Sequence, residues 1–186
     1  MRYWKLLFIV VLGVLLLSAC GRKYVAAEIH EDVDICEICN MQVKDDAYAA
    51  QLTTKEGKTY KFDDIGCLNQ WKVENGAEQI GMAFVRDFND MTWLEYDQAT
   101  YVYDESIRTP MAYGIVNFKD KESADAFVKD HGVGQVLTAA DLSSHDWKQN
   151  TEMMDMHMEG DSMEHMGDKS KTQMNHENMT EQSGHN

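Results

Sequence analysis

The sequence predicts an α+β protein made of two similar small halves, with antiparallel strands packed on helices, followed by a disordered C-terminal tail. Three observations carry this reading. A strand, strand, helix succession occurs twice along the chain. Phe62-Asp63-Asp64 ahead of the first helix is mirrored by Phe118-Lys119-Asp120 ahead of the second, the mark of an internal duplication. Beyond residue 142 the apolar periodicity stops and the composition shifts to Met, His, Asp and Glu.

In chain order, residues 1 to 19 read as a lipoprotein signal peptide. Arg2 and Lys5 supply the positive start, Leu6 to Leu17 the apolar run, and Leu17-Ser18-Ala19-Cys20 a small-residue end before a cysteine, as in a bacterial lipobox. The apolar run is short for a membrane span. On this reading Cys20 carries the lipid, and the chain sits on the extracytoplasmic face of a bacterial membrane. Residues 20 to 35 then form a polar tether and 36 to 142 the folded domain, in halves of about 36–87 and 93–142.

Within the first half, Ala47 to Thr53 and Thr59 to Phe62 read as strands joined by the turn Lys55-Glu56-Gly57-Lys58. Asp63 or Asp64 caps a helix whose Ile65, Leu68 and Trp71 lie three apart and whose end is marked by Gly76. Further strands follow at Met82 to Asp87, Trp93 to Tyr96, Ala99 to Tyr103 and Tyr113 to Phe118. Asp120 then caps a helix with Ala124, Phe127 and Val128 on one face and Gly132 at its end. Trp71, Phe84, Trp93, Phe118 and Phe127 are the candidate core.

The charge balance is 17 Lys+Arg against 32 Asp+Glu, a formal net charge of −15. Cleavage before Cys20 removes Arg2 and Lys5 and no acidic residue, which takes the net charge to −17. Nucleic-acid binding rests on neutralising phosphate and is excluded by this balance, whereas a cation is a natural partner. There is no phosphate-binding loop and no Ser/His/Asp constellation, so the sequence points to a protein that is not an enzyme.

The chemistry concentrates in Cys36-Glu37-Ile38-Cys39-Asn40-Met41. A Cys-x-x-Cys pair serves as a redox dithiol, a zinc half-site, a structural disulfide or a copper site, and the added thioether of Met41 tilts the set toward Cu(I), which thiolate and thioether select. With Cys20 lipidated, Cys36, Cys39 and Cys67 remain, an odd number that leaves one thiol free if two pair. Cys67 falls in the first turn of the first helix, where unpaired N–H groups favour a thiolate. Met111, in Thr109-Pro110-Met111, precedes a strand much as Met41 does and is a second candidate thioether.

These features together resemble the NosL family of copper-binding lipoproteins: the lipobox cysteine, Cys36-x-x-Cys39-x-Met41, Phe62-Asp63-Asp64-Ile65-Gly66-Cys67, Thr109-Pro110-Met111 and the block from Tyr113 to Leu142. The resemblance spans roughly residues 17 to 142. It implies two ββαβ-type halves related to the N-terminal part of organomercurial lyase, Cu(I) binding, and service in assembling the copper centres of nitrous oxide reductase. Cys39 and Met41 match the family's Cys-x-Met motif, and Cys36 matches the first cysteine of its Cys-x-x-Cys-Gly-Met form. Asn40 stands where that form has Gly, and Asn tolerates the left-handed backbone that such a turn requires.

From Thr151 onward come eight Met (153, 154, 156, 158, 163, 166, 174, 179) and four His (157, 165, 176, 185). The segment has too little apolar surface to bury and is expected to be disordered. Met156-His157-Met158 and Met163-Glu164-His165-Met166 group thioethers with imidazoles as auxiliary Cu(I) ligands. Two functions fit the whole: a lipid-anchored metallochaperone that passes Cu(I) to a copper enzyme or a membrane assembly complex, or a thiol-disulfide reductant that keeps a client's copper-site cysteines reduced.

Overall fold

Two antiparallel sheets, each organised around the first strand of its half, carry the chain's alternating apolar residues. The computed structural model describes residues 23–152; residues 1–19, read above as a signal peptide, Cys20 and the Met/His clusters at Met156-His157-Met158 and Met163 to Met166 lie outside the described residues. In the first half β1 (Ala50–Thr54) lies between β2 (Thr59–Phe62) and β3 (Ile80–Arg86); β4 (Trp93–Glu95), expected to open the second half, instead pairs with β3 and completes the order β2-β1-β3-β4. The second half places β5 (Thr100–Tyr103) between β6 (Ile115–Phe118) and β7 (Gln135–Thr138). Helix α1 (Ile65–Asn75) connects β2 to β3, and α2 (Lys121–His131) connects β6 to β7. Each half is therefore ββαβ with its first strand central, as the duplicated sequence pattern implies.

The two helices begin and end alike. The Asp64 carboxylate accepts from the Gly66 N–H at 2.8 Å and the Asp120 carboxylate from the Ser123 N–H at 2.8 Å, so both satisfy donors that have no partner inside the helix. Of the two aspartates that could cap α1, Asp64 does so and Asp63 is free for another task. Gly76 and Gly132 close the C-terminal ends, Gly132 in the left-handed conformation at φ 72°.

Element boundaries shift where side chains redirect the backbone. β1 begins at Ala50 rather than Ala47 because the Asp46 carboxylate takes the Tyr48 N–H at 2.8 Å in a tight turn. β4 stops at Glu95, where Tyr96–Gln98 tightens into a 3-10 turn, and β6 starts at Ile115, after Gly114 at φ 68°. β7 and the short helix α3 (Ala139–Leu142), opened by a Thr138/Asp141 capping box, carry no strong periodicity in the sequence. Residues read as a polar tether lie along the first sheet. Gln51 exchanges two hydrogen bonds with the Ala27 backbone at 2.8 and 2.9 Å, and Lys61 reaches the Glu28 carbonyl at 2.6 Å and Asp34 at 2.5 Å.

Leu52, Phe62, Ile65, Leu68 and Trp71 form the main core with Tyr101, Ile115, Leu137 and Leu142 of the second half. A smaller core of Val102, Val116, Phe118, Ala124 and Phe127 lies under α2, so the second sheet is covered on both faces. Of the expected core residues, Trp93 alone stays half-buried, its ring lying under the Arg86 guanidinium at 4.0 Å. At the seam between the halves, Asp87 is 0 % exposed and accepts from the N–H groups of Asn89 (2.7 Å), Asp90 (3.2 Å) and Lys119 (2.7 Å). The Phe88 N–H adds a bond to the Asn117 carbonyl at 2.7 Å.

Asp87→Ala leaves three backbone donors near the seam without their acceptor, a loss that costs about 2–4 kcal/mol in total at a buried site. Urea unfolding is expected to show an unfolding free energy lowered by that amount, with the midpoint falling in proportion. Asp87→Asn, which keeps one acceptor oxygen, is expected to lose less.

Candidate metal centre

The Cys36 to Met41 segment closes on itself before any other element contributes. The Cys36 N–H donates to the Met41 carbonyl at 2.8 Å, the Asn40 N–H donates to the Cys36 carbonyl at 3.0 Å, and Ile35 bridges to Gln42 just outside. Asn40 sits at φ 61°, the left-handed region that Asn tolerates better than other residues with a side chain. This turn aims the Cys39 N–H at the Cys36 sulfur and the Met41 N–H at the Cys39 sulfur. Both sulfurs thereby gain donors that stabilise negative charge.

The hairpin β1–β2 and the first turn of α1 bring the other groups to this loop. Asp63, unused in capping and only 5 % exposed, stands with its oxygens 3.2 and 3.3 Å from the Cys39 sulfur. Cys67 is buried in the first turn of α1. One ligand atom from each of Cys36, Cys39, Asp63 and Cys67 lies within 4.8 Å of the others. Asp63 was not singled out from the sequence as a site residue, although the doubled Asp63-Asp64 was its signal: a helix needs one cap.

Asp64 adds the second half to the site. It is 1 % exposed; one oxygen caps α1 and the other accepts from the Thr109 hydroxyl at 2.7 Å and the Met111 N–H at 3.0 Å. The Tyr113 ring covers the same turn so closely that a Cβ on Gly66 would lie 2.0 Å from it. Met111 is half-buried against the main core, while Met41 is 51 % exposed at the edge of the Cys36–Met41 loop and so is not a core filler. The expected equivalence of the two methionines does not hold. Met41 precedes the first strand of its half, whereas Met111 lies in the connection between β5 and β6, and Asp64 rather than the repeat places it beside α1. His30 is exposed and His131 stacks on Phe127 with ring centroids 3.9 Å apart; neither joins the cluster.

Three sulfurs and a carboxylate in so small a buried volume cannot all be charged. Hydrogen bonds from the Cys39 and Cys67 thiols hold Cys36 far below the usual thiol range. Giving its S–H to Cys36 pushes Cys39 up to about 12. Cys67 is pushed up further, first by its bonds to Cys36 and Cys39 and then by burial, so the lowering expected from the N-terminus of α1 is outweighed by the neighbouring negative charge. Burial, followed by the Cys36 thiolate, raises Asp63 to about 7. Without metal the pocket therefore carries one shared thiolate charge and retains its remaining thiol protons.

Because Asp63 rises from 3.8 to about 7 on folding, the fold favours its protonated form. That contribution is fully present below about pH 3.8 and is lost as pH rises through 7, with a slope approaching about 1.4 kcal/mol per pH unit between these limits. Metal-free Asp63→Asn removes it. The difference between parent and variant unfolding free energies, measured from pH 4 to 8, is expected to grow in the variant's favour with pH and to level off above about 7.

Among known proteins, the sequence model described as NosL matches residues 27–147. No curated protein matches the chain. The crystal structure of the copper chaperone NosL from Shewanella denitrificans is similar in fold, with a TM-score of 0.54 at 20 % identity, covering 62 % of this chain and 93 % of that one.

Proposed function

The chain belongs to the NosL family, and on that premise we propose that it is a Cu(I) carrier that delivers copper for the maturation of nitrous oxide reductase or a related copper enzyme. The observation that carries the proposal is the meeting of Cys36, Cys39, Cys67 and Asp63 within 4.8 Å. Thiolates are soft donors, and Met41 and Met111 bring thioethers, which favour Cu(I) over harder ions. Copper is the cargo here. Cys39 is the only thiol of the three that is not buried and is the natural first ligand, with Met41 at the edge of the same loop.

Loading exchanges protons for copper, since a thiol must lose its proton to ligate. Asp63 stands 3.2 Å from the Cys39 sulfur and is placed to take that proton when copper arrives and return it when copper leaves. The resulting charge change is small, because a monovalent ion replaces protons inside a pocket that has little room for net charge. On the sequence reading, lipid on Cys20 tethers this carrier to the extracytoplasmic face of a bacterial membrane, near a membrane assembly complex or client enzyme. The Met/His clusters of the tail then serve as auxiliary, weaker Cu(I) ligands.

A thiol-disulfide reductant needs an attacking thiol and a resolving partner that a client's disulfide can reach. Cys36 and Cys67 are buried and only Cys39 is partly accessible, so the geometry favours holding an ion over exchanging disulfides. A Cys3Asp set also suits tetrahedral zinc, which makes zinc the competitor to be tested.

Competition with a chromogenic Cu(I) chelator under anaerobic conditions tests the proposal. Cys39→Ser and Cys67→Ser are each expected to weaken binding at least a hundredfold, about 2.7 kcal/mol. Met41→Leu, which conserves volume, is expected to weaken it by about tenfold or less with little change in melting. X-ray absorption of the Cu(I)-loaded chain should show short sulfur scattering. Parent-like affinity in Cys39→Ser, or a preference for Zn(II) over Cu(I), overturns the proposal.

A further inference from the structure

The segment that leads into the thiol loop alternates in burial. Val33, Ile35 and Glu37 are exposed, whereas Asp34 is half-buried and Cys36 is buried. This is the two-residue period of an extended chain with one face turned inward. Backbone bonds hold it: the Val43 N–H donates to the Asp34 carbonyl at 2.9 Å, Ile35 bridges to Gln42, and the Cys36 N–H donates to the Met41 carbonyl. Cys36 therefore joins the thiol cluster, while Val33 and Ile35 stand 72 % and 51 % exposed. With Met41, three of the seven large apolar side chains exposed among the described residues fall between positions 33 and 41. They lie on the two arms of the loop that carries Cys39, the one thiol of the three that is not buried. Apolar side chains scattered singly over a surface need no explanation, but three on one loop beside the accessible ligand do.

The charge around these side chains has one sign. Residues 28–45 hold six carboxylates, Glu28, Glu31, Asp32, Asp34, Glu37 and Asp45, against one ammonium, Lys44. Asp34 is paired with Lys61 of β2 and Asp45 with Arg86 of β3. Glu28, Asp32 and Glu37 are exposed and enter none of the ion pairs among the described residues; Lys58, in the turn between β1 and β2, is the cation that the Glu37 charge reaches. An apolar centre with a charged rim is the anatomy of a protein interface. Its sign selects the occupant. A second copy of this acidic chain and an anionic lipid surface are both repelled, whereas a basic protein surface is complementary.

We infer that Val33, Ile35 and Met41, together with the carboxylates of Glu28, Asp32 and Glu37, form the docking face for the protein that takes the copper, and that this recipient presents an apolar patch rimmed by Lys or Arg beside its own accepting thiols. The inference rests on the Cu(I) reading above and adds the chemistry of the recipient. Docking brings a recipient thiol to Cys39. Transfer is ligand exchange without electron transfer. The recipient sulfur gives up its proton and binds copper, the bond between copper and Cys39 breaks, and the Cys39 sulfur takes a proton from Asp63 or from solvent. Copper stays Cu(I) throughout. The acidic rim speeds encounter with a basic surface by about 10- to 1,000-fold at low salt, an advantage that screening removes. The apolar centre governs how long the encounter lasts.

Two synthetic acceptor peptides test this in anaerobic stopped flow against the copper-loaded full chain. Each has a Cys-x-x-Cys centre between leucines and a fluorophore quenched by bound Cu(I); one is flanked by Lys and the other by Glu. The Lys-flanked peptide is expected to fill at least about tenfold faster at about 0.01 M salt, with the gap closing toward about 1 M. Glu28→Gln with Asp32→Asn and Glu37→Gln is expected to remove most of that gap. Glu122→Gln with Asp125→Asn and Asp130→Asn, an equal loss of charge from exposed positions on α2, is expected to leave it. Val33→Ser with Ile35→Ser is expected to raise the peptide concentration at half-maximal rate at least about fivefold, with Cu(I) affinity against a chelator unchanged. Equal filling of the two peptides, equal effects of the two triple variants, or parent-like transfer in the Val33→Ser with Ile35→Ser variant overturns the inference. Loss of Cu(I) affinity in that variant also overturns it, because the two side chains would then belong to the metal site. A dimer in sedimentation that the same variant dissolves gives the face to a second copy and overturns it too. Failure of the parent chain to hold Cu(I) instead overturns the reading on which the inference rests.

Discussion

The buried carboxylate of Asp64 ties the start of α1, which carries Cys67, to the second half. Its oxygens serve the first turn of α1 on one side and Thr109 and Met111 on the other. Burial raises its pKa and opposes its charge, and the bonds from Gly66, Thr109 and Met111 are what keep a carboxylate tenable there. The helix cap fixes the direction of α1 and hence the place of Cys67. The bonds to the 104–114 loop fix how closely the second half approaches. Tyr113 can then lie on Gly66, where any larger residue would push it away. The helix cap and the contact between the halves share one group.

The thiol cluster makes sense on this scaffold as a pocket prepared for an ion. Three sulfurs and Asp63 are drawn together by the Cys36–Met41 turn, the end of β2 and the start of α1, and the electrostatic cost of that crowding is relieved by shared protons. A cation removes the need for those protons. The same crowding that makes the metal-free pocket resist further ionisation therefore makes it receptive to a metal ion that displaces those protons, which a lone buried structural cysteine is not.

Much of this was legible in the sequence because it rests on local rules. The capped helices, the Gly ends, the hairpin over Lys55 to Lys58 and the duplicated Phe-x-Asp pattern all report short-range chemistry, and Asn40 at φ 61° is where a Gly-like turn residue was expected. Long-range choices were not legible. Nothing local says that Gln51 will reach the Ala27 backbone, that Asp63 rather than Asp64 will face Cys39, or that Gln149 and Asn150 will fasten to the Met111 loop. The lowering expected at Cys67 failed for the same reason: the helix terminus is visible in sequence, the neighbouring thiolate is not.

The duplication also shows how a repeated unit is turned to one function. Both halves use the same strand order around a central first strand and a helix of 11 residues capped by Asp. Where the first half has Asp63 and Cys67 around its helix start, the second has Lys119 and Ser123, which offer no soft ligand. Where the first half turns between its paired strands through Lys55 to Lys58, the second carries the long loop with Thr109, Met111 and Tyr113. The first half keeps the thiols and the second half supplies the loop that packs on the start of α1 beside them. The soft donors thus stand on the first half and the supporting loop on the second, and the buried Asp64 is where the two contributions meet.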